Sequence, residues 1–187
     1  CYPPKVFPES VTIVGSGVTG VEFVHMFSSF GARVNLVVSR QQVLPGKDPE
    51  VAAVLEDDFL QRGVKLLKGA RATSIERVVD EAGVEEVVVR CDDGRVVHSS
   101  HAVLAIGSVP NTGGLGLERV GIDVGPGNYI PVDRVSRTAA AGIYAAGDCT
   151  GLLPLASVAA MQGRIAMYHA LGEGVAPIRL RTVSSAV

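Results

Sequence analysis

The sequence has no basic run, and its 17 lysines and arginines against 19 aspartates and glutamates leave a net charge of −2. A protein that neutralises a phosphate backbone needs clustered cations, so this balance argues against a nucleic-acid-binding surface. No apolar stretch reaches the ~18 residues a membrane span requires, because a charged residue or a glycine interrupts each one. Cysteine is scarce. Cys1, Cys91 and Cys149 are odd in number and far apart, and are spaced for neither a disulfide framework nor a metal site. Reduced thiols in a cytoplasmic protein, with no metal, are the expectation. No signal peptide is visible, and the chain begins with Cys1 in place of Met, so the natural N-terminus is expected upstream.

What the sequence does contain is 187 residues, 47% hydrophobic and 19% charged, enough for one or two domains with a substantial core. Its organising stretch runs from Ser10 to Arg40, SVTIVGSGVTGVEFVHMFSSFGARVNLVVSR. An apolar run, Val11 to Val14, breaks into Gly15-Ser16-Gly17-Val18-Thr19-Gly20, an amphipathic segment follows, and a second apolar run spans Val34 to Val38. The order is strand, glycine turn, helix, strand. A dinucleotide pyrophosphate lies against backbone N–H groups at a helix N-terminus, where the dipole is positive. In that frame Gly15 permits the tight turn, Gly17 lets the pyrophosphate approach, and Gly20 lets the helix close onto the strand.

Along the chain, the three prolines of residues 1–9 indicate an extended arm. A helix over about Thr19–Phe30 would pack Val21, Val24, Phe27 and Phe30 on the sheet. Asp48 caps a second helix with Pro49 in its first turn and Gly63 at its end. Its apolar face reads as Val51, Val54, Leu55 and Phe59, with Glu56, Asp57 and Asp58 solvated. Val64 to Leu67 is a third strand, which completes a β-α-β-α-β unit. Three strands without helices follow, Ser74 to Asp80, Val84 to Arg90 and Arg95 to His98, separated by Glu81-Ala82-Gly83 and Asp92-Asp93-Gly94: an antiparallel meander. His101 to Gly107 is continuous and apolar, as a buried parallel strand is.

Beyond Pro110-Asn111, short strands are expected at Ile122–Val124 and Tyr129–Val132. A further strand between Thr138 and Asp148 would end in Gly147-Asp148, ahead of a helix over about Leu153–Leu171 that buries Val158, Met161 and Met167. A carboxylate at a strand's C-terminal end, beside a helix N-terminus, stands where open α/β sheets bind ligands. Asp148 there could accept a hydrogen bond from a ligand hydroxyl.

The pair G-S-G-V-T-G-V-E (Gly15 to Glu22) and T-x9-D (Thr138 to Asp148), joined by G-S-V-P-N (Gly107 to Asn111), resembles the flavoprotein disulfide reductases, also called pyridine nucleotide-disulfide oxidoreductases. Gly142 to Gly172 is similar to the actinobacterial NAD(P)H quinone reductases often named as dihydrolipoamide dehydrogenases. The resemblance implies that NAD(P)H, bound on Gly15, Gly17, Val18, Thr19, Gly20 and Gly107, passes a hydride to FAD. It further implies that Gly147 and Asp148 hold the flavin ribityl and phosphate region, and that Glu22 lies near the nicotinamide. The reduced flavin would deliver electrons to a quinone-like or disulfide acceptor.

The implied fold is α/β: a Rossmann-like NAD(P)-binding domain at 10–110 with a parallel sheet and a three-stranded meander, after an arm at 1–9. Residues 111–175 would be the C-terminal part of an FAD-binding domain, and 176–187 the start of an interface domain, with Ile178 to Val187 its first strand, through which the parent forms a homodimer. Family members place a flavin fingerprint and a redox cysteine pair ahead of this region and a His-Glu pair after it. The chain therefore reads as an internal fragment of a parent of about 450 to 480 residues, of roughly three domains. By itself it would be a nucleotide-binding module without turnover. Dihydrolipoamide dehydrogenase is the alternative for the parent.

NAD-specific domains of this kind place an acid about 20 residues past the fingerprint to bind the ribose hydroxyls. Here that position is Val38, followed by Ser39 and Arg40, which leaves a 2′-phosphate unopposed. Tolerance of NAD and NADP, with a lean to NADPH, is the expectation.

Overall fold

A computed structural model describes residues 4–79, 83 and 85–184. Cys1 and the turn expected at Glu81-Ala82, with the strand start at Val84, lie outside the described residues. The chain divides between Gly107 and Ser108 into two compact units.

The first unit runs β1 (Ser10–Val14), α1 (Val18–Ser29), β2 (Arg33–Val38), α2 (Pro49–Gln61), β3 (Lys65–Lys68), β4 (Ala72–Val79), β5 (Glu85–Cys91), β6 (Val96–Ser99) and β7 (His101–Leu104). Four strands form a parallel sheet in the order β3-β2-β1-β7, with Val11 in register with Val34 on one side and His101 on the other. β1 is buried along its whole length, which is why its run is apolar and not alternating. Beside it β4, β5 and β6 form the expected antiparallel meander. Thr12 on β1 is fully buried, and its hydroxyl is satisfied by Asn35 Nδ2 at 3.3 Å and Ser99 Oγ at 2.9 Å.

The main core joins Val11, Ile13, Val21, Val24, Phe27, Leu36, Val38, Ala52 and Phe59. Asp48 caps α2 as expected, its Oδ1 accepting from the Glu50 N–H at 2.8 Å, with Pro49 at the first helical position. Two expectations about helix faces fail. Phe30 is exposed, because it stands past the last turn of α1, where its ring meets the edge of Phe7 at 5.8 Å. On α2 the buried stripe is Ala52, Glu56 and Phe59, while Val51 and Val54 face solvent. Glu56 sits in the core because its carboxylate accepts from the Val43 N–H at 2.9 Å and from Lys68 Nζ at 2.7 Å.

The second unit has one long element, α3 (Ala156–Ala170), and single 3-10 turns at Leu117–Val120, Pro126–Asn128, Asp148–Thr150 and Leu180–Thr182. The strands expected at Ile122–Val124, Tyr129–Val132 and Ile178 onward are absent among the described residues. The strand before Asp148 reduces to one bridge between Arg137 and Tyr144. A strand needs a ladder partner, and no described segment of this unit offers one beyond that bridge. α3 buries Val158, Gln162, Ile165 and Ala166, whereas Met161 and Met167 lie off this stripe and are exposed.

Candidate functional site

Strand order in the parallel sheet reverses at β1, since β2 and β3 lie to one side and β7 to the other. Ligands of open α/β sheets bind in the crevice outside the strand ends at such a point. A cleft of about 620 Å³ opens there, lined by Gly15, Ser16, Gly17, Val18 and Thr19 after β1, Ser39 and Pro45 after β2, Arg71 after β3, and Ala105 to Gly107 after β7.

The three fingerprint glycines have separate structural reasons. Gly15 has φ +107°, and a Cβ there would come within 2.3 Å of the Ala105 carbonyl oxygen. A Cβ on Gly20 would lie 1.9 Å from the carbonyl oxygen of Gly15, so this residue seats α1 against the turn. A Cβ on Gly17 would meet nothing within 4 Å, and Gly17 lines the cleft. Only the third result leaves a reason for glycine outside the protein's own packing.

Gly17 is also the N-cap of α1 and has no side chain to satisfy the first-turn N–H groups. No acidic residue occupies that turn. An anion in the cleft would therefore meet free backbone donors and the positive end of the helix dipole without a competing carboxylate.

The loop after β2 is held from two sides. The Leu44 N–H donates to the Ser16 carbonyl at 2.7 Å, and the Val43 N–H is taken by buried Glu56. Gly69 and Ala70 donate to the carbonyls of Arg40 and Val38 at 3.0 and 3.1 Å, which draws the β3 end beside the β2 end. Of the expected residues, Gly15, Gly17, Val18, Thr19, Ser39 and Gly107 line one cleft. Gly20 and Val38 lie buried behind it, and Glu22 and Arg40 are exposed outside its lining. Among the described residues, Arg71 is the cation that lines it. Counting forward from the fingerprint misses this residue because it arrives through the β3–β4 connection, and an arginine after a short strand carries no distinctive spacing.

In the second unit Gly147 is buried with φ +88°, and a Cβ there would press on Ala159 at 3.3 Å. Its N–H donates to Gln162 Oε1 at 2.8 Å, and Gln162 Nε2 donates to Thr150 Oγ1 at 3.2 Å. Thr150 in turn donates to the Gly147 carbonyl at 2.8 Å. This closed set of bonds fixes the turn that presents Asp148, which is exposed. Sequence pattern does not single out Gln162, whose one signal is a lone amide on an otherwise apolar helical stripe. Cys149 is half-buried, with Sγ 3.4 Å from the Ala146 carbonyl.

The chain is 62% identical over its full length to a Mycobacterium tuberculosis protein named NAD(P)H dehydrogenase (quinone) and covers 37% of that protein. Over 96% of its length it is 34% identical to dihydrolipoyl dehydrogenase of Zymomonas mobilis, covering 38% of that chain. The crystal structure of LpdA from Mycobacterium tuberculosis superposes on 97% of this chain, and on 39% of its own, with TM-score 0.88 and 62% identity. The chain thus spans under two-fifths of the length of these relatives. With its residues 3–163 matching the family description, the chain belongs to the pyridine nucleotide-disulphide oxidoreductases.

Proposed function

We propose that this chain is the NAD(P)H-binding part of an FAD-dependent oxidoreductase whose whole protein moves a hydride from NAD(P)H to FAD and two electrons onward to a quinone-like acceptor. The observation that carries this reading is Gly17: a glycine with open space where a Cβ would stand, capping a helix with free donors over a cleft of about 620 Å³. That volume suits a small-molecule site. Gly15, Val18, Thr19 and Gly107 would complete the pyrophosphate and nicotinamide walls, with Gly20 and Val38 as their packing and Glu22 at the flavin-facing side of α1.

In the same reading residues 10–110 are the NAD(P) domain, 111–175 the last part of the FAD domain and 176–187 the start of an interface domain. Gly147 and Asp148 would hold the flavin's ribityl and phosphate region. The exposed carboxylate of Asp148, on a turn fixed by Gln162 and Thr150, suits a hydroxyl-bearing ligand. FAD, when bound, supplies a two-electron relay between nicotinamide and acceptor, while the chain's own residues bind and orient. A cytoplasmic homodimer is proposed for the whole protein. No described helix is long and apolar enough to cross a membrane.

The quinone acceptor is favoured over dihydrolipoamide by the 62% identity to the quinone-named relative against 34% for the dihydrolipoyl one. The test uses the full-length parent: rapid mixing with NADPH should bleach the flavin, and a quinone should restore its absorbance within seconds. Restoration by a lipoyl disulfide and not by quinone would replace this reading with the dihydrolipoamide one.

A further inference from the structure

Val38, fully buried at the end of β2, removes the acid that would bind a ribose 2′-hydroxyl, and a 2′-phosphate needs a cation at that place. Arg40 is nearest in sequence, yet it does not line the cleft. Arg71 lines it. Two backbone bonds join its neighbours to the β2 end, Gly69 N–H to the Arg40 carbonyl and Ala70 N–H to the Val38 carbonyl. A second pair of bonds anchors Arg71 itself: its N–H donates to Asp92 Oδ1 at 2.9 Å, and its carbonyl accepts from the Asp92 N–H at 3.0 Å. The main chain at Arg71 is therefore fixed while the residue as a whole is exposed, and among the described residues its guanidinium forms no ion pair. Ser39, on the same wall, adds a hydroxyl.

We propose that Arg71, and not Arg40, is the specificity residue that receives the 2′-phosphate of NADPH in this cleft. The proposal rests on the reading of the cleft as an NAD(P)H site. A guanidinium forks onto two phosphate oxygens, and a hydrogen bond between two charged groups is about twice as strong as a neutral one. Because the side chain is exposed, added salt should weaken the contact.

The test titrates the full chain with NADPH and with NADH, for the wild type and for Arg71→Ala, Arg71→Lys and Arg40→Ala, with far-UV circular dichroism to check folding. Arg71→Ala should weaken NADPH by roughly tenfold to a hundredfold and NADH by less than about threefold. Arg71→Lys, which keeps a charge without the fork, should fall between the wild type and Arg71→Ala for NADPH. Arg40→Ala should change neither by more than about threefold. A selective loss of NADPH in Arg40→Ala, or an unchanged ratio of the two affinities in Arg71→Ala, overturns the assignment while leaving the cleft as the nucleotide site. A wild type that binds neither nucleotide overturns the cleft reading itself.

Discussion

The two units bury a polar side chain in the same way but surround it differently. On α2 the stripe is Ala52, Glu56, Phe59, and on α3 it is Val158, Gln162, Ile165, Ala166, so in each helix a polar residue occupies the second place, four residues on from the first. Each uses an oxygen to hold a loop N–H near a proposed ligand turn, Val43 in one case and Gly147 in the other. Behind Glu56 stands a four-stranded sheet with a large apolar cluster. Among the described residues of the second unit the buried apolar side chains are few: Ile122, Ile130, Val158, Ile165 and Ala166. A polar peg is thus an accessory where a sheet supplies the core, and a main support where one helix must do so.

The largest effect should come from the sheet's own packing. Phe59→Ala should cost about 3–5 kcal/mol and loosen the first unit first, read by peptide-resolved hydrogen exchange. If both units lose protection together, they are one cooperative body and the contrast fails. Gln162→Ala leaves the buried Gly147 N–H without its acceptor and should cost about 1–3 kcal/mol, confined to the second unit. Glu56→Gln keeps an oxygen for the Val43 N–H and weakens only the Lys68 contact, so it should cost under about 1 kcal/mol. A Glu56→Gln loss as large as that of Gln162→Ala would erase the distinction between accessory and main support. The smallest effect concerns the thiols. Burial pushes the Cys91 thiol up, and the neighbouring Asp93 adds to this, so the reactive thiolate is disfavoured there. Iodoacetamide at neutral pH should therefore label half-buried Cys149 well before Cys91, as mass spectrometry of the native protein would register.

Much of the first unit was legible because its signals are local. The glycine turn, the Asp48-Pro49 helix start and the strand-only stretch to Ser99 each depend on neighbours within a few residues. What was not legible came from partners far along the chain. Helical pattern places Glu56 in solvent, because nothing beside it announces that Val43 and Lys68, over ten residues away on either side, will meet its carboxylate. Arg71 reaches the cleft only through bonds between the β3 and β2 ends. In the second unit apolar runs such as Tyr129–Val132 satisfied a strand pattern, but pattern supplies no ladder partner, and the segments fold as irregular chain around 3-10 turns. Residue type alone puts Met161 and Met167 in the core, whereas burial on α3 follows the stripe that carries Gln162.

In the proposed nucleotide site Gly17 is glycine for the ligand's sake, whereas Gly20 is glycine for the fold's. Gly17 has extended backbone angles, φ −72° and ψ −174°, which valine adopts without strain. The direct measurement is calorimetric titration of NADPH into Gly17→Val alongside the wild type, with circular dichroism on both. Gly17→Val should fold, melt only about 2–4 °C lower because valine is a poorer N-cap, and bind NADPH at least about tenfold more weakly, from loss of the close pyrophosphate approach. A folded Gly17→Val that binds NADPH as tightly as the wild type would contradict it.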